Sequence, residues 1–178
     1  MPSTLCDLLI SHGSDKWHSD HTKGHSYGPF YDKLFAPRRH TTHAVLELGV
    51  LGGASLRAWR DYFTDCHVTG LDINPQPKDE WMISIHKCDV TKKDELDAVL
   101  GNKKFDLIID DASHWEHHQI ESFELLKDRL LPGGIYLIED IQCQESHQKF
   151  IDLGFMIHDF RGHRGKWDDV VCSWVKPG

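Results

Sequence analysis

Between residues 45 and 59 an apolar run, Val45-Leu46-Glu47-Leu48, passes through Gly49-Val50-Leu51-Gly52-Gly53 into Ser55-Leu56-Arg57-Ala58-Trp59. That order reads as a strand, a tight turn and the start of a helix. Glycines in such a turn let the backbone approach a ligand closely, and the opening turn of the helix offers N–H groups with no partner. Alone, the feature is common to many α/β proteins, with and without a nucleotide site. The intervals that follow are what constrain this chain.

A second apolar strand, His67-Val68-Thr69-Gly70-Leu71-Asp72-Ile73, carries an aspartate near its end, and a third, over 83–90, reaches Asp89. With Glu47, three successive strands each deliver a carboxylate toward their C-terminal ends. In an open parallel sheet that edge is where ligands bind, and an acidic group after the second strand can accept hydrogen bonds from ribose hydroxyls. The dinucleotide pattern G-x-G-x-x-G is absent, since the turn holds Gly49, Gly52 and Gly53. Glu47 beside the turn suits a cationic ligand better than a pyrophosphate.

The rest of the chain extends the alternation. A short helix is expected from Thr4, capped by Ser3 or Thr4 and stopped by Gly13, and a polar loop over 14–26. In that loop Trp17, with Tyr27 after it, would either cover a ligand or pin a solvated segment. A helix over 27–35 should end at Pro37. Strands are expected over 44–50, 68–73, 83–90, 105–111 and 135–138. The helices between them should run over 55–63, from an N-cap at Thr91 to Gly101, and over 116–130, closed by Pro132-Gly133-Gly134. A helix over 145–153 and two final strands, 155–160 and 170–175, complete the chain. Residues 161–169 are short enough for a hairpin with no helix in it.

The densest site signal is Asp110-Asp111-Ala112-Ser113-His114 after the fourth strand, with Glu139-Asp140 after the fifth. Adjacent strands lie about 4.8 Å apart, so these carboxylates converge. Like charges so close cannot all stay ionised without a cation. A hard divalent ion with oxygen ligands, Mg²⁺ before Ca²⁺ or Mn²⁺, would resolve the repulsion. Alternation sends Asp110 and Asp111 to opposite sides. His114 and His118 have helical spacing but no Cys partner and no H-E-x-x-H, so zinc is not expected there, and His117 and His118 read as surface positions.

Glu47-Leu48-Gly49 with Gly52, followed by Asp72 and Asp89, resembles the cofactor-binding series of class I S-adenosylmethionine-dependent methyltransferases. The resemblance implies an α/β fold with a Rossmann-like seven-stranded sheet in the order 3-2-1-4-5-7-6 and helices on both faces. It also implies S-adenosyl-L-methionine held by Glu47, Gly49, Gly52, Ser55, Asp72, Cys88, Asp89 and Asp110. The Asp-Asp-x-Ser-His pattern with the later Glu-Asp is similar to the metal-dependent sugar O-methyltransferases of macrolide and aminocoumarin biosynthesis. That match implies Asp111, Glu139 and Asp140 as Mg²⁺ ligands and His114 as general base, acting on a hydroxyl of a sugar or glycosylated natural product. Catechol O-methyltransferase places metal ligands at the same two strand ends. Only about a dozen residues separate Asp140 from the sixth strand, without the substrate-covering insertions of those enzymes. The acceptor pocket is therefore expected to be open or completed by a second copy. The rival reading is a module that keeps the cofactor site without acceptor chemistry.

Composition limits the alternatives. At 178 residues the expectation is one domain, with 1–40 as an N-terminal helical or lid segment and 44–178 as the catalytic core. A formal net charge of −8 argues against a nucleic-acid partner. Five dispersed cysteines without C-x-x-C favour reduced, mostly buried thiols in a cytoplasmic protein. No signal peptide and no membrane-spanning apolar run are read in the chain. The tryptophans 59, 81, 115, 167 and 174 are expected to pack rather than to contact cofactor.

Overall fold

The computed structural model describes residues 3–17 and 24–178. Residues 18–23 of the expected polar loop lie outside the described residues. Seven strands form one sheet: β1 (Ala44–Leu48), β2 (His67–Asp72), β3 (Ile83–Lys87), β4 (Phe105–Asp110), β5 (Leu130–Ile138), β6 (Met156–Asp159) and β7 (Val170–Val175). Their order is β3-β2-β1-β4-β5-β7-β6, as the sequence implied. Pairing is parallel from β3 to β5, and β7 runs antiparallel to both β5 and β6.

Side-chain alternation divides the core into two layers. Val45, Leu107, Ile109, Ile135, Leu137 and Val171 pack under helices α1 (Leu5–His12), α2 (Gly28–Phe35) and α3 (Ala54–Tyr62). Leu46, Leu48, Ile108, Tyr136, Ile138 and Cys172 face the opposite way, toward α4 (Lys93–Leu100), α5 (Glu116–Leu126) and α6 (Ser146–Asp152). The rows from β1, β4 and β5 are buried on both faces, which their continuous apolar runs require.

Local chemistry sets the ends of the elements. Thr4 caps α1 in a reciprocal capping box with Asp7, and Gly13 closes it with a left-handed φ of 75°. Strands β1 and β3 stop short of the expected 50 and 90, because the chain leaves the ladder to shape the sheet edge. Pro37 does not stop α2 outright but sits in a 3-10 turn, Ala36–Arg38, that extends it. Thr91 is not the cap of α4: its N–H and hydroxyl donate to Asp89 Oδ1, and Lys92 takes the cap position. Helix α5 ends at Leu126, and Pro132, Gly133 and Gly134 belong to β5 instead of a turn. Leu130 is buried opposite Phe105, and a register irregularity follows before Ile135 meets Leu107. The 161–169 connection holds a one-turn helix, α7 (Arg161–Arg164), where none was expected.

Among the tryptophans, Trp59 is fully buried, but Trp81, Trp115 and Trp167 are 77%, 64% and 61% exposed, contrary to a packing role. Cys66, Cys88 and Cys172 are buried, Cys6 is half-buried and Cys143 exposed, all as free thiols. No helix among the described residues is long and apolar enough to cross a membrane.

Candidate active site

At the C-terminal edge of β1 the chain turns through Gly49, whose φ is 85°. A Cβ added there would stand 2.1 Å from the carbonyl oxygen of Asp111, so only glycine permits the approach of the two strand ends. On one side of this point lies a cavity of about 350 Å³ bordered by Asp72, Cys88, Asp89, Asp110 and His118. On the other lies a cleft of about 450 Å³ bordered by Gly52, Ser55, Asp111, His114 and Asp140. Both are lined by Gly49, Asp72 and Ala112, so they form one continuous groove around the β1 turn.

The first cavity gathers several residues expected to hold cofactor. Asp72 accepts from Val50 N–H at 2.9 Å and from Asn74 N–H at 2.7 Å, one backbone donor on each oxygen. Each oxygen keeps a lone pair for a ligand. Asp89 is fixed by Thr91, whose hydrogen bonds hold its pKa below the ordinary carboxylate value. Burial pushes the Cys88 thiol up to about 11. Asp110 faces the α5 layer, where Ser122 donates to it, and burial raises its pKa to about 6 despite that bond. His118, expected on the outer surface, lines this cavity and shares a hydrogen bond of 2.9 Å with Ser113. Gly52 borders the second cleft with open space around it, and its carbonyl accepts from Arg57.

Glu47 is placed differently from a cleft residue. It is fully buried, and its oxygens accept from the Ser55 hydroxyl and the Trp59 indole N–H, each at 2.7 Å. The cation it faces is the ammonium of Lys16, at 3.3 Å. Lys16 enters from the N-terminal segment, is 1% exposed, and also donates to Asp111 Oδ2 at 2.5 Å and Glu139 Oε2 at 2.7 Å. Burial disfavours its charge, yet the attraction of Asp111, Glu139 and Glu47 outweighs that and holds its pKa well above the ordinary lysine value. Nothing local in the sequence marks Lys16, which sits in a polar stretch without periodicity. Only the charge balance of converging carboxylates could have called for a cation.

Of the remaining acidic groups, Asp111 and Asp140 are pinned at one oxygen and open at the other, whereas Glu139 is pinned at both. Tyr31 donates to Glu139 Oε1 at 2.6 Å, so both oxygens of Glu139 are engaged. Burial pushes Glu139 well above the usual carboxylate range against the pull of Lys16. Tyr27 donates to Asp140 Oδ1 at 2.6 Å, and is itself fully buried instead of covering a ligand. Trp17 packs on the α1–α3 core, with Arg164 over its ring at 4.1 Å. Asp111 Oδ1 and Asp140 Oδ2 both turn to His114 Nδ1, at 4.0 and 3.9 Å. His114 Nδ1 is buried and has no hydrogen-bond partner among the described residues. One donor atom from each of Asp111, His114 and Asp140 lies within 4.8 Å of the others, and the two open carboxylate oxygens suit a hard divalent ion with the orphaned imidazole beside it. Leu51, His114 and Asp140 all carry positive φ, at 45°, 57° and 54°, a conformation that non-glycine residues keep where the surroundings over-determine it.

Residues 46–141, more than half of the chain, match the family model described as a methyltransferase domain. The chain belongs to this family. Among curated proteins, this methyltransferase domain is 35% identical over 150 residues to the 8-demethyl-8-alpha-L-rhamnosyl tetracenomycin-C 2'-O-methyltransferase of Streptomyces olivaceus, covering 78% of the chain and 38% of that protein. It is 36% identical over 126 residues to the mycinamicin VI 2''-O-methyltransferase of Micromonospora griseorubida, covering 66% of the chain and 32% of that protein. Among solved structures, the MycE methyltransferase of the mycinamycin biosynthetic pathway, in complex with Mg, SAH and mycinamycin VI, superposes with a TM-score of 0.79 at 27% identity. That match covers 99% of the chain and 55% of MycE. The methyltransferase domain thus spans less than two fifths of the length of these curated relatives.

Proposed function

We propose that this methyltransferase domain transfers a methyl group from S-adenosyl-L-methionine to a hydroxyl of a sugar or glycosylated natural product, assisted by Mg²⁺. The observation that carries the reading is the single groove around Gly49. It joins a cavity edged by Asp72 and Asp89 to a cleft holding His114 and two half-free carboxylates. The names of the relatives, all O-methyltransferases of glycosylated compounds, support the acceptor class.

In this reading Asp72 takes the ribose hydroxyls with its spare lone pairs, Cys88, Asp89 and Asp110 border the base, and Gly49, Gly52 and Ser55 line the path to the methyl group. Asp111 and Asp140, each with one unpinned oxygen, would hold the ion. Glu139 and Glu47 support that pair from behind by anchoring Lys16. A bound divalent ion supplies positive charge that makes a nearby acceptor hydroxyl more acidic. His114, whose ring is partly open to the cleft, would take the proton of the acceptor hydroxyl as its oxygen bonds to the methyl carbon in line and the carbon–sulfur bond breaks, leaving a neutral thioether. The described residues of the 1–40 segment reach the strand ends through Lys16, Tyr27 and Tyr31, and 44–178 forms the core that binds both substrates. The free thiols suit the reducing cytoplasm, and the negative net charge suits a small-molecule acceptor over nucleic acid. The exposed acceptor side leaves room for a second copy to complete it.

Calorimetric titration of S-adenosyl-L-methionine into metal-stripped protein, repeated with Mg²⁺, tests the reading. Micromolar cofactor binding is expected, together with Mg²⁺ binding that Asp111→Ala loses. His114→Ala should cut turnover on rhamnosylated acceptors at least 100-fold while cofactor affinity stays within about twofold. No cofactor binding in either condition would overturn the proposal; loss of Mg²⁺ binding in His114→Ala would make His114 a ligand instead of the base.

A further inference from the structure

On the far side of Asp140, three buried polar atoms have no hydrogen-bond partner among the described residues: His25 Nδ1, Ser26 Oγ and Asp169 Oδ2. His25 and Ser26 are 6% and 3% exposed, and Asp169 is fully buried. Buried polar atoms are nearly always satisfied; Ser26 and Asp169 lie beside each other and can pair, which leaves His25 Nδ1 as the atom that calls for a further partner. His25 Nδ1 lies 3.4 Å from Asp140 Oδ1 and 3.5 Å from Asp169 Oδ1. Those separations exceed a good N–H···O bond. The His25–Asp140 separation matches the spacing of two neighbouring donors around a tetrahedral ion, roughly 3.3 Å for metal–ligand bonds of about 2.0–2.1 Å. One donor atom from each of His25, Asp140 and Asp168 lies within 4.8 Å of the others.

We propose that His25, Asp140 and Asp168 form a second divalent-cation site, separate from the Asp111–His114–Asp140 group. An imidazole nitrogen with two carboxylates suits Zn²⁺ or Mn²⁺ better than Mg²⁺, which prefers oxygen donors and retained water. Asp140 serves both places with different oxygens: Oδ2 turns to His114 and Oδ1 to His25. The outer contacts that orient ligands are already built. Tyr27 donates to Asp140 Oδ1, its ring stacks on His25 with centroids 4.8 Å apart, and Ser26 N–H donates to Asp169 Oδ1 at 2.9 Å. The three ligands come from the segment before α2, the end of β5 and the β6–β7 connection. An ion there clamps the N-terminal segment onto the sheet edge, and its role is structural.

Equilibrium dialysis of the full chain against Mn²⁺ and against Zn²⁺, with bound metal counted by elemental analysis, tests the site. Wild type is expected to hold two Mn²⁺ ions per chain, and Asp168→Asn and His25→Gln one each. Zn²⁺ should raise the Tm of wild type and leave that of Asp168→Asn unchanged. Asp168 is only partly buried, so that variant keeps the test open if His25→Gln does not fold. An ion count in Asp168→Asn and His25→Gln equal to that of wild type would overturn the proposal and establish His25 as an imidazolium paired directly with Asp140 and Asp169. The ion lost in Asp111→Asn reports on the methyltransferase reading separately, so either can fail alone.

Discussion

Lys16 concentrates most of the site's electrostatics in one atom. Its Nζ meets Glu47, Asp111 and Glu139, and removing it leaves three buried or half-buried carboxylates without their cation. Breaking a buried pair by deleting one partner typically costs about 3–5 kcal/mol, far more than the pair contributes over an apolar replacement. Lys16→Met should therefore lose stability of that order in urea unfolding at pH 7, with Lys16→Arg recovering part of it. A residual cost under about 1 kcal/mol would mean that the carboxylates take up protons or water in its place. Gly49 makes a sharper demand. Gly49→Ala would force a Cβ against the Asp111 carbonyl at a φ that L-residues avoid, so a Tm drop of more than about 8 °C is expected, with loss of cofactor binding. The carboxylates that Lys16 gathers were legible in the sequence because each stands within or just after the end of an apolar strand. Lys16, Tyr27, Tyr31 and His25 were not, because their contacts cross long stretches of chain and leave no local spacing.

At the level of elements, the strands followed from apolar runs punctuated by glycine and acidic residues and their order from the family resemblance, whereas their ends followed from neither. The end of β5 shows why. Pro132-Gly133-Gly134 has the composition of a turn, but Leu130 finds a buried place opposite Phe105, and tertiary burial overrides the local preference. Strand β6 carries a titration that the sequence could not reveal. His158 lies against Phe30 with ring centroids 4.4 Å apart and pairs with Ser173 at 2.8 Å, and burial lowers its pKa. Above about pH 6.5 the imidazole is neutral in both folded and unfolded chains. As pH falls, the unfolded chain takes up the proton first, so this group's contribution to stability is lost on the acid side. Comparing wild type with His158→Gln between pH 8 and pH 5 should show the wild type losing more. Parallel pH curves for the two proteins would assign the lowered affinity for protons elsewhere.

For the molecule as a whole, the two core layers hold the sheet while the groove along its edge keeps buried acidic groups without full neutralisation. Such a molecule should gain stability on loading. A ligand at 100 times its Kd adds about 2.7 kcal/mol when it binds only the folded state, and S-adenosyl-L-methionine with Mg²⁺ should add more together than either alone. Differential scanning fluorimetry across the four conditions checks this, and strictly additive shifts would place the two ligands in uncoupled sites. The carboxylate clamp at the edge also has a consequence for how the protein is made. Ser26 N–H reaches Asp169, 143 residues later, and Tyr27 reaches Asp140 across 113. Loops of that length close late, after local helices and hairpins have formed. Every residue lining the groove lies at or before Asp140, so during synthesis its walls can form before Ser26 is tied down to Asp169. The nascent chain can therefore have its groove before the stretch that pins Ser26 emerges, and a product stalled between Asp140 and Asp169 would carry the groove with Ser26 still untied.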